Sequence, residues 1–152
     1  MNNLEKKVDA LVRLVLCGSE AEANDIRWEL KDLVAGAPIM DPVSKIRSAL
    51  LEVGVPDSLI GHSYLMTALE LVVMEPSLAN AITTKLYPRI AAMHLTTPSR
   101  TERAIRHAIE VAFDRGDLDV LRQYFGNTIS LTKVKPTNGE FIARMANAIR
   151  EM

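Results

Sequence analysis

The stretch "TTPSRTERAIRHAIEVAFDRG", residues 96–116, decides how the rest of the chain is read. Thr97 can cap a helix, and Pro98 suits its first position because proline has no N–H to lose there. From that start Ala104, Ile105, Ala108, Ile109 and Ala112 recur at helical spacing and form one face. At about 100° per residue, Arg100, Glu102, Arg103, Arg106, His107 and Glu110 fall on the other. A helix that needed only solubility would more often mix lysines and glutamates along its exposed face. This one gathers arginines near its N-terminus.

The residues just before complete a pattern. "RIAAMHL", residues 89–95, brings Ile90 and Ala91 inward on a helix that a short turn separates from the next. A first helix with a small alanine at the crossing, a tight turn and a capped basic helix have the spacing of a helix-turn-helix. In that motif the second helix enters the major groove. Arginine can pair bidentately with guanine O6 and N7, and glutamate can accept from cytosine N4, which supplies a reason for arginine over lysine. Two roles compete for Glu102. If Ser99 is the cap, Ser99 and Glu102 form a capping box and the glutamate folds back onto the backbone. If Thr97 is the cap, Glu102 lies inside the helix with its carboxylate free to face the groove, and Pro98 favours this second arrangement.

Outward from this stretch, almost every long segment has helical period, and the chain is expected to be all-α. Leu4, Val8, Leu11, Val12 and Val15 form one apolar stripe that Gly18 ends. Ser19 and Glu22 read as a capping box opening a second helix, which buries Ala23, Ile26, Leu30 and Leu33 and stops at Gly36 with Pro38 beyond. The two predict a helical hairpin. Trp28 lies off its inner stripe and calls for a loop, a second subunit or the downstream domain to cover it. "GAPIMDPVS", residues 36–44, reads as a linker. Further helices follow over 43–53, 62–74, 78–94 with a break before Pro88, 118–125 behind an Asp117 cap, and 138–151. The last opens on the box Thr137 and Glu140 and is buried through Phe141, Ile142, Met145 and Ile149. "TISLTKVK", residues 128–135, alternates like a strand but has no partner, so it reads as an extended connection.

Composition limits the function. With 48% hydrophobic and 24% charged residues the chain of 152 is an ordered domain with an extension rather than a disordered tail. A net charge of −1 argues against a uniformly basic nucleic-acid binder. The charge is uneven, however: residues 85–135 hold nine Lys and Arg against five Asp and Glu, and residues 1–58 hold seven against ten. A basic region on a neutral protein permits nucleic acid. The single Cys17 rules out an intramolecular disulfide, fits a reducing compartment and reads as a buried small hydrophobe. The N-terminal residues break their apolar run with charges, so neither a signal peptide nor a membrane span is expected, and a cytoplasmic location is. His62, His94 and His107 lack metal-ligand spacing, and no phosphate loop or nucleophile elbow is present. No catalytic residues, metal or cofactor are expected.

The quoted helix closely resembles the recognition helix of the DNA-binding effector domain of the sporulation-initiation master response regulators. "IGHSYLMTALELV", "TKLYPRIA" and "LTKVKPTNGEFIA" resemble other landmarks of that domain in the same order, and the likeness runs from about Lys45 to Ile149. It implies a six-helix effector domain over residues 39–152, preceded by the hairpin of residues 1–38, which would serve for dimerisation or docking. It implies binding to a short duplex element of the form TGTCGAA, with Arg100, Glu102, Arg103 and Arg106 as principal contacts. His107 shares that face, and Lys133 and Lys135 are expected on phosphate. Expected partners are double-stranded DNA, a second copy of the chain and an RNA polymerase sigma subunit. Three departures stand out. Thr101 replaces an apolar residue, which would loosen the helix packing. His94 and Leu95 replace phenylalanine and asparagine at the turn, and a leucine there would be strained by about 1 kcal/mol if the backbone is left-handed. An acidic two-helix segment stands where the family has its phosphorylatable receiver domain. The reading is a DNA-binding transcriptional regulator not switched by aspartyl phosphorylation. The alternative is an interaction module or decoy that modulates a full-length relative.

Overall fold

The computed structural model describes residues 2–35, 41–126 and 135–152, and among them every regular element is helical. The chain divides into two compact units, Met1–Met40 and Asp41–Met152. The segment 128–135 lies outside the described residues except for Lys135, and Gly36 and Pro38 lie outside them too.

In the first unit α1 (Asn3–Leu16) packs against α2 (Glu20–Ala35). A capping box opens α1: Asn2 Oδ1 accepts the Glu5 N–H at 2.8 Å, and the Glu5 carboxylate accepts the Asn2 N–H at 2.9 Å. Ser19 Oγ accepts the Glu22 N–H at 3.2 Å at the start of α2. α2 buries Ala23 and Ile26 and half-buries Leu30 and Leu33, as the spacing predicts.

The other helix departs from its expectation. Its strongest apolar stripe, Leu4, Val8, Leu11, Val12 and Val15, is exposed. The side with fully buried Ala10 and half-buried Leu14 and Cys17 is turned inward instead. A small side chain lets two helices approach closely, and Arg13 flanks the contact with both Glu29 carboxylate oxygens, at 2.8 and 2.9 Å. Periodicity finds an apolar face without naming what covers it. Cys17 is half-buried rather than buried, its thiol donating to the Leu14 carbonyl. Trp28 is 64% exposed, with the Lys31 ammonium 4.8 Å from its ring centroid.

The second unit is built around α4 (Ile60–Met74), which packs against α3 (Pro42–Glu52), α6 (Pro98–Arg115) and α8 (Asn138–Glu151). α4 is apolar nearly all round, as a helix enclosed by others must be: Tyr64, Leu65, Met66, Ala68, Leu69 and Val72 are all buried. Gly61 marks its crossing with α6, where an added Cβ would lie 2.2 Å from the Ala104 carbonyl oxygen. All three phenylalanines of the chain meet at the far end of α6. Phe113 stands edge-on to Phe125 of α7 (Leu118–Phe125) at 5.3 Å, and Phe125 stacks on Phe141 of α8 at 5.3 Å. The caps predicted for α7 and α8 are both formed. Asp117 accepts the Asp119 and Val120 N–H groups, and Thr137 and Glu140 make the reciprocal box.

The expected helix over 78–94 is instead three pieces: a 3₁₀ turn (Pro76–Asn80), a π-helical turn (Ile82–Leu86) and α5 (Tyr87–Met93). Pro88 supplies the reason. It has no N–H to continue an i to i−4 ladder, and the preceding turn widens so that the Tyr87 N–H reaches back to the Ile82 carbonyl. The break is larger than a kink.

Candidate nucleic-acid interface

α5 and α6 pack on each other across the turn His94–Thr97. Ile90 and Ala91 are buried on α5, as predicted. The turn closes with the Thr96 N–H on the Ala91 carbonyl at 2.9 Å, the long bond of a helix C-terminal motif whose middle residue must be left-handed. That residue is Leu95, at φ 53°. The position predicted to strain a leucine does so, and the side chain, 95% exposed, gains no packing in return. His94 ends α5 with its Nε2 2.7 Å from the Thr67 hydroxyl of α4 and its ring edge-on to Tyr64, which ties the turn to the core.

α6 starts where Thr97 Oγ1 accepts the Arg100 N–H at 3.3 Å, with Pro98 in the first turn. Thr97 is therefore the cap, and Glu102 is not folded back onto Ser99. Ile105, Ala108, Ile109 and Ala112 are buried, Ala104 half so. Thr101 is fully buried among them, and its hydroxyl donates to the Thr97 carbonyl at 3.0 Å. The predicted loosening does not occur, because a satisfied hydroxyl leaves the methyl free to pack.

On the opposite face Arg100, Arg103, Arg106, His107 and Glu110 are exposed and Glu102 is half-buried. Where the sequence predicts a free carboxylate, Glu102 instead pairs with Arg106 one turn on, in the favourable order for a helix. Among the described residues Arg100 and Arg103 have no ion-pair partner. Lys135 lies beside α6, where it lines a groove of about 250 Å³ with Arg106, Glu110 and Asn138. Its ammonium is 2.9 Å from Asp114, an exposed pair that a phosphate could replace at little cost. Lys133 lies outside the described residues.

One residue was missed. Asn138, at the first position of α8 and buried, donates its amide to the Tyr87 hydroxyl at 2.9 Å and to the Glu102 carbonyl at 3.1 Å. It joins α5, α6 and α8 directly behind the arginine-bearing turns. Burial pushes the Tyr87 hydroxyl's pKa up. In sequence Asn138 is simply the residue after a cap, and nothing there signals a buried amide.

The family model described as "Sporulation initiation factor Spo0A C terminal" matches residues 46–149. The chain belongs to this family of DNA-binding domains of sporulation regulators.

Proposed function

We propose that this chain is a sequence-specific DNA-binding transcriptional regulator in which α5, the turn and α6 act as a helix-turn-helix. α6 enters the major groove of a TGTCGAA-like element. One observation carries the reading: at the capped N-terminus of α6 two arginines, Arg100 and Arg103, stand exposed and, among the described residues, without an ion-pair partner, beside a glutamate that another arginine already holds. Arginines of that kind can fork onto guanine, and their positions on a rigid helix supported from behind by Asn138 set the register. A decoy that only imitated a regulator would have no use for unpaired arginines at this place. Lys135, and with it Lys133, serve phosphate. The described residues of the first unit form two helices, and the proposal includes binding that does not depend on phosphorylation of an aspartate.

The test is a paired titration on specific and scrambled duplexes at several salt concentrations. Arg103→Ala is expected to cost about 1–3 kcal/mol on the specific duplex and to relax discrimination at one guanine. Glu102→Ala should release Arg106 and remove a negative charge from the face, so that nonspecific binding holds or tightens while preference for the element falls. If Glu102→Ala instead lowers stability and leaves the specificity ratio intact, the glutamate is structural and the arginines read the duplex without it.

A further inference from the structure

α1 has two apolar sides, and α2 covers one. Ala10 is buried against the partner helix, while Leu4, Val8, Leu11, Val12, Val15 and Leu16 remain 51–83% exposed. At about 100° per residue the exposed stripe is centred roughly 140° round the helix from the Ala10 side. Soluble proteins rarely leave a contiguous stripe of this kind open unless something docks on it.

The stripe identifies its occupant. Leu4, Val8, Leu11 and Val15 are spaced four, three and four apart, which is the seam of a coiled coil with leucine at one repeating core position and valine at the other. Valine at a and leucine at d is the combination that suits two parallel strands. Val8, Leu11, Val12 and Val15 surround the four-sided hole that such a partner's side chain fills, and a groove of about 280 Å³ is lined on this face by Leu11, Val12, Val15 and Leu16. Helices this short rarely persist alone in water, but α2 and the Asn2–Glu5 capping box already hold α1 in shape.

We infer that the exposed stripe of α1 docks on the same stripe of a second copy, with the two α1 helices parallel and paired as a short coiled coil and each α2 on the outer side of its own α1. As a role for the first unit this rests on the regulator reading. The contact itself needs no DNA.

Sedimentation equilibrium of the full chain without DNA tests it. The unaltered protein should be a dimer at micromolar concentration. The double substitution Leu11→Lys with Val15→Lys should weaken association by about 100-fold or more. Its helix content should be unchanged, because both side chains are exposed in the single chain. In a Cys17→Ser background, Val8→Cys should give a disulfide-linked dimer on mild oxidation, since a parallel seam sets the two residues opposite each other. A monomer at every concentration, a dimer indifferent to the two lysines, or a dimer that Val8→Cys fails to link would overturn the proposal. Loss of DNA binding in a protein that still dimerises would count against the regulator reading alone.

Discussion

Leu95 shows what one residue can cost. It adopts φ 53° because the Thr96 N–H must reach the Ala91 carbonyl to close the turn, and a Cβ in that conformation meets the neighbouring carbonyl. With its side chain 95% exposed there is no burial to offset the strain. Leu95→Gly is therefore expected to stabilise the second unit by about 1 kcal/mol, with Leu95→Asn following in the same direction. Urea denaturation of each variant measures this, and a loss of stability would mean that the leucine makes a contact the single chain lacks. Thr101 shows the opposite outcome, a polar replacement whose cost is removed by one hydrogen bond to Thr97. Both residues could be singled out in sequence. Only the strain at Leu95 could be foreseen there, because it depends on a local backbone rule, whereas the fate of Thr101 depends on where a carbonyl lies.

Among elements, legibility followed the source of the signal. The starts of α6, α7 and α8 were readable because a cap and the N–H it satisfies are three residues apart or fewer. The inner face of α6 was readable from period alone, since the unit encloses it on one side. The helix expected over 78–94 was not, because Pro88 acts on the turn before it and converts that turn to π geometry. In α1 the apolar period is real, but period alone does not say which side a covering helix takes, and α2 covers the small-residue side. Of the candidate site, the exposed face with its arginines was legible, and the buried support behind it, Asn138 and Tyr87, was not, since it depends on residues 36 and 51 positions away in sequence. The placement of α6 in turn depends on α4, and Gly61 is where they touch. Gly61→Ala would set a methyl 2.2 Å from the Ala104 carbonyl oxygen, so it should destabilise the second unit by about 1–3 kcal/mol. Gly18→Ala, where nothing lies within 4 Å, is the control and should be close to neutral. Thermal melts of the pair decide the point. Equal stability would show that α4 and α6 do not depend on this close crossing.

For the molecule as a whole, a near-neutral net charge makes the argument for DNA one of placement. The positive excess belongs to the region around α6, and the first unit carries the negative balance. If two copies associate through α1, two α6 helices are tethered, and on any duplex that carries two elements in reach the second binding event would gain effective concentration without any new contact. Phosphate contacts alone would make binding tight at low salt, indifferent to sequence and steeply weakened by added salt. The proposed function differs in that this chain would read a sequence. The most direct measurement is a titration of the untreated protein, with no phosphodonor, against a TGTCGAA-containing duplex and a scrambled duplex of equal length and composition, at physiological salt. A specific reader is expected to prefer the element by about 1000-fold or more, and to keep most of that preference as salt rises. Equal affinity for the two duplexes, falling together with salt, would contradict the account.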